Sequence, residues 1–168
     1  HHYTINAGAK NLRMQRNHTI AVVIPYDTTS RQHISDPFFL SMLGSLADAV
    51  TDRGYDLLLS RVNADELDAA AHLYDSGQAL GIVLIGQWLH HDQLNAMAQR
   101  KVPMVVWGAQ MPHQRYCTVG GDNVLGGQLA TDHLIKQGRK RPLFIGDPRL
   151  PEVAQRLQGY RQALKTAQ

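Results

Sequence analysis

Apolar positions along this chain switch repeatedly between the period of a strand and that of a helix. Thr19 to Ile24 (TIAVVI) is a short, unbroken, largely β-branched run, the pattern of a strand buried on both faces. Pro25 is expected to end it, because proline cannot donate to a central ladder. A polar loop, Tyr26 to Ser35, comes next. Asp36 suits an N-cap and Pro37 the first helical position. Phe39, Met42, Leu43, Leu46, Ala49 and Val50 then recur at helical spacing. Arg53-Gly54 stops the helix, with glycine at the usual C-terminal position. Tyr55 to Leu59 reads as the next strand.

The alternation continues to the end. A helix is expected over Ala64 to Asp75, with Asp65 and Glu66 in its first turn, where the helix dipole favours acids. Gly77 closes it. Next come a strand at Leu80 to Ile85, a helix at His91 to Arg100, and strands at Met104 to Trp107 and Cys117 to Val119. A helix from Val124 to Gln137 ends at Gly138, and beyond it lie a strand at Pro142 to Ile145 and a helix from Pro151 to Ala167. Strands alternating with helices imply an α/β fold with a parallel sheet and right-handed crossovers. In such sheets ligands sit beyond the carboxyl ends of the strands, where the loop at 26–38 lies. Beyond Gly120-Gly121 two helices and one strand are too few to fold alone, so further chain is expected on the C-terminal side.

Composition narrows the class without choosing a function. At 168 residues, 43% hydrophobic and 18% charged, the chain is globular rather than disordered. A net charge of +3 is compatible with nucleic acid and decides nothing. A single cysteine, Cys117, excludes an internal disulfide and fits a reducing compartment. No apolar run approaches the ~20 residues of a membrane span, and no secretory signal is visible. His1-His2 reads as a purification-tag remnant. Tyr3 to Arg16 differs in composition from the rest of the chain: it carries Lys10, Arg13 and Arg16, no acid, and few large aliphatic side chains. It is either a solvated tail or a short basic helix with one exposed leucine. In the second case the cations contact phosphates and Leu12 can wedge between base pairs from the minor groove.

Taken in order, several stretches resemble the lactose-repressor (LacI/GalR) family of bacterial transcription regulators. They are Y-x-x-N-x-x-A-x-x-L at 3–12, HTIAVVIP at 18–25, DPFF at 36–39, RGYDLLL at 53–59, GIVLIG at 81–86 and VPMVVWG at 102–108. VGGDNVLGG at 119–127, ATDHLIKQGRKR at 130–141, FIGD at 144–147 and RLQGYRQAL at 156–164 complete the set. The resemblance implies a type I periplasmic-binding-protein-like fold with two subdomains, the second incomplete here. Residues 3–17 would be the hinge helix and linker from a DNA-binding domain, with Tyr3, Asn6, Ala9, Lys10 and Leu12 as hinge residues. Residues 18–121 would be the N-terminal effector-binding subdomain and 122–168 the start of the C-terminal one. Ile5 stands where the family usually has proline.

The candidate effector residues each have a competing structural reading. Phe38 and Phe39 point about 100° apart on a helix, so one can pack in the core while the other faces the cleft. Trp107 ends a strand and can wall a cleft or fill the core; Trp88 is treated likewise. By the resemblance Arg156 matches the arginine of R-x-x-G-Y, whose guanidinium suits sugar hydroxyls or carboxylates; the alternative is a surface ion pair. Glu152, one turn earlier, shares that face. Asp122 caps a helix or binds effector. Asp27, at the end of the first strand, accepts from hydroxyls or caps its loop. His90-His91-Asp92 does not converge as metal ligands do, the basic run at 136–141 reads as a solvated helix end, and no catalytic constellation appears.

These residues together read as a cytoplasmic, homodimeric LacI-type regulator, acting by binding and without a cofactor. Its partners would be operator DNA and a small effector, expected to be a neutral sugar such as a glucoside, held by Asp27, Phe38, Phe39, Trp88, Trp107, Asp122, Glu152 and Arg156. The alternatives are an extracytoplasmic sugar-binding protein of the same fold and a small α/β enzyme. No membrane partner is expected.

Overall fold

Burial on both faces puts β1 (Thr19–Tyr26) at the inside of the sheet. The structure is a computed structural model that describes residues 17–27 and 33–167; the hinge residues Tyr3, Asn6, Ala9, Lys10 and Leu12 lie outside the described residues. β2 (Asp56–Asn63), β3 (Gly81–Ile85), β4 (Met104–Trp107) and β5 (Cys117–Val119) join β1 in a five-stranded parallel sheet of order β2-β1-β3-β4-β5. Successive residues of β1 feed opposite faces. Ala21 and Val23 meet Ile82, Leu84 and Val106, and are covered by Leu67, Ala70, Ala71, Leu94 and Met97. Val22 and Ile24 meet Ile85 and Phe39, with Met42, Leu43 and Leu46 packed around them. One face is thus covered by α1 (Pro37–Thr51), the other by a 3₁₀ segment (Ala64–Ala70), α2 (Ala71–Asp75) and α3 (His91–Gln99). Each fully buried Val, Leu or Ile side chain contributes about 1.5–3 kcal/mol.

α1 begins and ends as its sequence predicts. The Asp36 carboxylate accepts from the Phe38 N–H at 2.9 Å, Pro37 opens the first turn, and Gly54 takes a φ of +76° just past the end. α4 (Asn123–Lys136) and α5 (Pro151–Thr166) then pack against each other through glycines. A Cβ on Gly127 would lie 2.1 Å from the Arg156 carbonyl oxygen, and one on Gly159 would lie 1.9 Å from that of Val124.

Four elements differ from expectation. Pro25 does not end β1: the strand runs to Tyr26, pairing Pro25 with Val62. The β3 ladder stops at Val23, so by Pro25 β1 is paired on one side only, where a missing N–H is tolerated. β2 correspondingly reaches Asn63 rather than Leu59. The segment 64–75 is not one α-helix but a 3₁₀ segment followed by a five-residue α-turn, with Glu66 at non-helical angles. A distant side chain explains the break: the Gln93 amide accepts from the Asp68 N–H and donates to the Asp65 carbonyl, both at 3.1 Å. Residues 142–145 do not form a strand, because no described strand pairs with them. Leu143 and Ile145 are instead 79% and 87% exposed.

The α4–α5 contact gives a direct prediction. Gly159→Ala forces the two helices apart and should lower stability by roughly 1–3 kcal/mol, read as a lower urea midpoint at unchanged slope. A change within about 0.5 kcal/mol, as for a surface substitution, would contradict the close approach.

Candidate functional site

Because every pair is parallel, all five strands present their carboxyl ends at one edge. Asp27 comes directly after β1 there and is half-buried. α1 starts at the same edge and brings its first-turn aromatics to it. Phe39 turns inward and is 5% exposed, in the core with Ile24 and Ile85. Phe38 turns outward, 48% exposed, with its ring 6.5 Å from that of Trp107, itself 36% exposed. The Phe38 and Phe39 rings meet edge to face at 5.2 Å. An exposed aromatic pair therefore stands at the end of β4, backed by a buried ring. Trp88, half-buried at a φ of +49°, sits just after β3 and folds its indole over Gly86.

A cavity of about 610 Å³ opens beyond β4 and β5. Gly108, Gly120, Gly121, Thr118, Gln110 and Gln114 line it from the sheet side, and Asp122, Asn123, Val124 and Gln155 from the helical side. Its polar groups are neutral apart from Asp122, whose carboxylate accepts from the Leu125 N–H at 2.9 Å and so caps α4. Of the described residues singled out from sequence as effector contacts, only Asp122 lines this cavity. Glu152, half-buried, approaches from α5: its Oε1 lies 3.3 Å from where a Cβ on Gly108 would be, so the glycine makes room for it. Arg156 is exposed; its Nε donates to Asn123 Oδ1 at 2.9 Å, and it borders a second, more apolar cavity of about 400 Å³ beside Thr131, Phe144 and Tyr160.

Gln110, Gln114, Thr118, Asn123 and Gln155 were not anticipated. Asn123 and Gln155 adjoin residues that were, in V-G-G-D-N and next to Arg156, which is the only signal the sequence carries for them. Gln110 and Gln114 sit in a loop with no periodicity.

Behind the cavity lies a buried polar relay. Gln87 is fully buried; its Oε1 accepts from the Ala109 N–H at 3.0 Å and its Nε2 donates to the Tyr116 hydroxyl. His91 Nδ1 lies 2.8 Å from the same hydroxyl, and Asn95 Nδ2 lies 3.1 Å from His91 Nε2. Asn95 Oδ1 accepts from the Arg115 N–H, which fixes the amide, so His91 Nε2 accepts and Nδ1 carries the proton. Burial pushes the Tyr116 phenol above its ordinary value, opposed by the hydrogen bond from Gln87 and reinforced by the nearby Glu152 charge. His91 is therefore part of a structural network. Among the described residues no group of three or more His, Cys, Asp or Glu is placed to hold a metal ion.

A doubly covered parallel sheet followed by a packed helix pair, with a polar cleft between them, defines a periplasmic-binding-protein-like α/β domain. The family described as periplasmic binding proteins and sugar binding domain of LacI family matches residues 17–167, and the chain belongs to it. Among similar proteins, the HTH-type transcriptional regulator CelR of Thermobifida fusca is 29% identical over 98% of this chain and 49% of its own length. The ribose operon repressor of Escherichia coli K12 is also 29% identical, over 98% of this chain and 49% of its own. Among solved structures, a complex of transcriptional regulator CelR with cellobiose superposes with a TM-score of 0.75 at 25% identity, covering 95% of this chain and 51% of that one. A regulatory protein of LacI family from Chloroflexus aggregans gives 0.72 at 25% identity, covering 88% and 53%. The chain thus spans about half the length of the curated relatives it matches.

The relay predicts two effects of Tyr116→Phe. It leaves the buried Gln87 amide with an unmet donor, at a cost of about 1–3 kcal/mol in urea unfolding near neutral pH. It also changes the alkaline limb. A phenol raised in the folded state contributes stability that is complete below the unfolded value near 10 and is lost as pH rises through the higher folded value. Wild type should therefore lose stability more steeply above pH 10 than Tyr116→Phe; parallel limbs would contradict the assignment.

Proposed function

We propose that this chain is the effector-sensing part of a LacI-type transcriptional repressor that binds operator DNA as a homodimer in the cytoplasm. The observation that carries the reading is the cleft at the carboxyl edge, in a chain of this family. Its hydrogen-bonding groups are, Asp122 apart, neutral amides and a hydroxyl, and an exposed aromatic pair stands nearby. That chemistry suits a neutral polyol: rings cover the apolar face of a pyranose, and amides donate to and accept from its hydroxyls. The naming of similar proteins as regulators supports a regulator over an extracytoplasmic binding protein, as does the basic, leucine-bearing segment at 3–16. Asp27, Phe38, Trp88, Trp107, Glu152 and Arg156 are the further residues we assign to effector, with Phe39 supporting Phe38 from below.

Control arises from linkage. An effector that releases DNA must bind the DNA-incompetent arrangement of the two lobes more tightly, and DNA must then weaken effector binding by the same factor. The segment 3–12 would deliver that arrangement to DNA through paired hinge helices below a helix-turn-helix domain.

A panel of cellobiose, maltose and ribose, read by tryptophan fluorescence in the intact regulator, tests the ligand class. At least one should titrate the signal and release operator DNA. A protein that ignores every sugar and answers a purine or an amino acid would remove the sugar assignment and leave the family standing. Arg156→Ala should abolish the response to added sugar; release at the wild-type sugar concentration would exclude Arg156 from the site. Leu12→Ala should weaken binding to operator more than to random DNA, since a wedge acts only where DNA is deformed, whereas phosphate contacts act everywhere. Equal losses on both DNAs would exclude the wedge.

A further inference from the structure

The two walls of the polar cleft are joined by a chain of side-chain hydrogen bonds whose direction is fully determined. Arg156 Nε donates to Asn123 Oδ1 at 2.9 Å. A guanidinium can only donate, so Asn123 must turn its oxygen to Arg156 and its Nδ2 away. That Nδ2 faces Gln155 Oε1 at 3.4 Å and the Gly121 carbonyl at 3.3 Å. Gln155 must then present its own Nε2 outward, and this donates to the Gln110 carbonyl at 3.0 Å. A carbonyl can only accept, so both ends fix the same orientation and neither amide can flip without losing a bond.

The bodies at the two ends of this chain are each stiff. Gln110 begins a loop that is braced within itself: Gln114 Oε1 accepts from the Met111 N–H at 3.0 Å, and its Nε2 donates to the Tyr116 carbonyl at 2.7 Å and to Thr118 Oγ1. The buried Gln87 ties the start of that loop to the end of β3 through Ala109. On the other side, Asn123 opens α4, and Gln155 and Arg156 lie on α5, locked to α4 by glycine contacts. Two internally rigid bodies therefore face each other across the cleft, and the Gln155 amide bridges them.

We propose that Gln155 is a latch between the lobes, set by Arg156 through Asn123, that holds the 109–116 loop against the amino end of α5. Where the cleft holds effector, which rests on the function proposed above, a ligand that draws Arg156 away from Asn123 removes the constraint on Asn123 and Gln155 and frees the loop. The nearby acids do not supply the bridge: Asp122 is committed to the Leu125 N–H, and Glu152 lies beside Gly108.

The test needs no effector, so it stands or falls apart from the functional reading. Hydrogen exchange of the 109–116 segment is compared in the ligand-free full protein for wild type, Gln155→Leu and Gln155→Glu. Both variants should exchange several-fold faster there at neutral pH, with β1 unchanged. In Gln155→Glu a carboxylate oxygen faces the Gln110 carbonyl; protonation below the ordinary glutamate value of about 4.3 restores a donor, so its rate relative to wild type should return towards one in acid. Gln155→Leu should stay fast at both pH values, which packing alone would not produce. Gln155→Asn, one methylene too short to reach Gln110, replaces the leucine variant if β1 exchange shows that variant unfolded. Wild-type rates in the leucine or asparagine variant, or a glutamate variant that acid does not rescue, would overturn the latch.

Discussion

The fold depends on one strand being buried from both sides. Ala21, Val22, Val23 and Ile24 are excluded from water almost completely, and they alternate between two cores. Neither core forms without β1, since it supplies the central side chains of each. Its pairing with β2 on one side and β3 on the other also sets the register in which every later strand adds. Parallel pairing then forces each connection to return over a face of the sheet, which places helices on both. It sends all the strand-to-helix loops to one edge as well. The cleft is thus a consequence of the same constraint that builds the core.

At that edge small residues decide how close the parts come. A Cβ on Gly120 would lie 2.3 Å from the Gly108 carbonyl oxygen, so the ends of β4 and β5 close to backbone contact only because Gly120 lacks a side chain. Glu152 and Gln155 then reach across from α5 into space that larger residues would fill. The result is a cleft whose walls touch through polar groups rather than through a packed apolar seam. Amide contacts of this kind can be exchanged for ligand or water at small net cost.

Local signals suffice where an element is specified by its own residues. The β-branched run at 19–24, the Asp36-Pro37 start of α1 and the Gly54 stop are all read directly from sequence. They fail where a distant group intervenes. Nothing within 64–75 reveals that Gln93 takes its backbone bonds, and nothing near Pro25 reveals that the ladder there is one-sided. Leu143 and Ile145 have strand-forming neighbours in sequence, but a strand exists only with a pairing partner. The site divides the same way. The outward turn of Phe38 and inward turn of Phe39 are consequences of helical geometry, whereas the amides lining the cavity come from three separate segments and share no motif.

Sensing of a small neutral ligand in the polar cleft beyond β4 and β5 is tested most directly by hydrogen exchange. The intact protein is mapped with and without the sugar that titrates its tryptophan fluorescence. Protection should concentrate at 118–125 and 150–156, with 109–117 exchanging differently once ligand is bound, and little change in β1 or α3. Protection centred instead on the apolar groove of Leu134, Leu143 and Phe144, with residues 108–124 unaffected, would contradict a ligand site in the polar cleft.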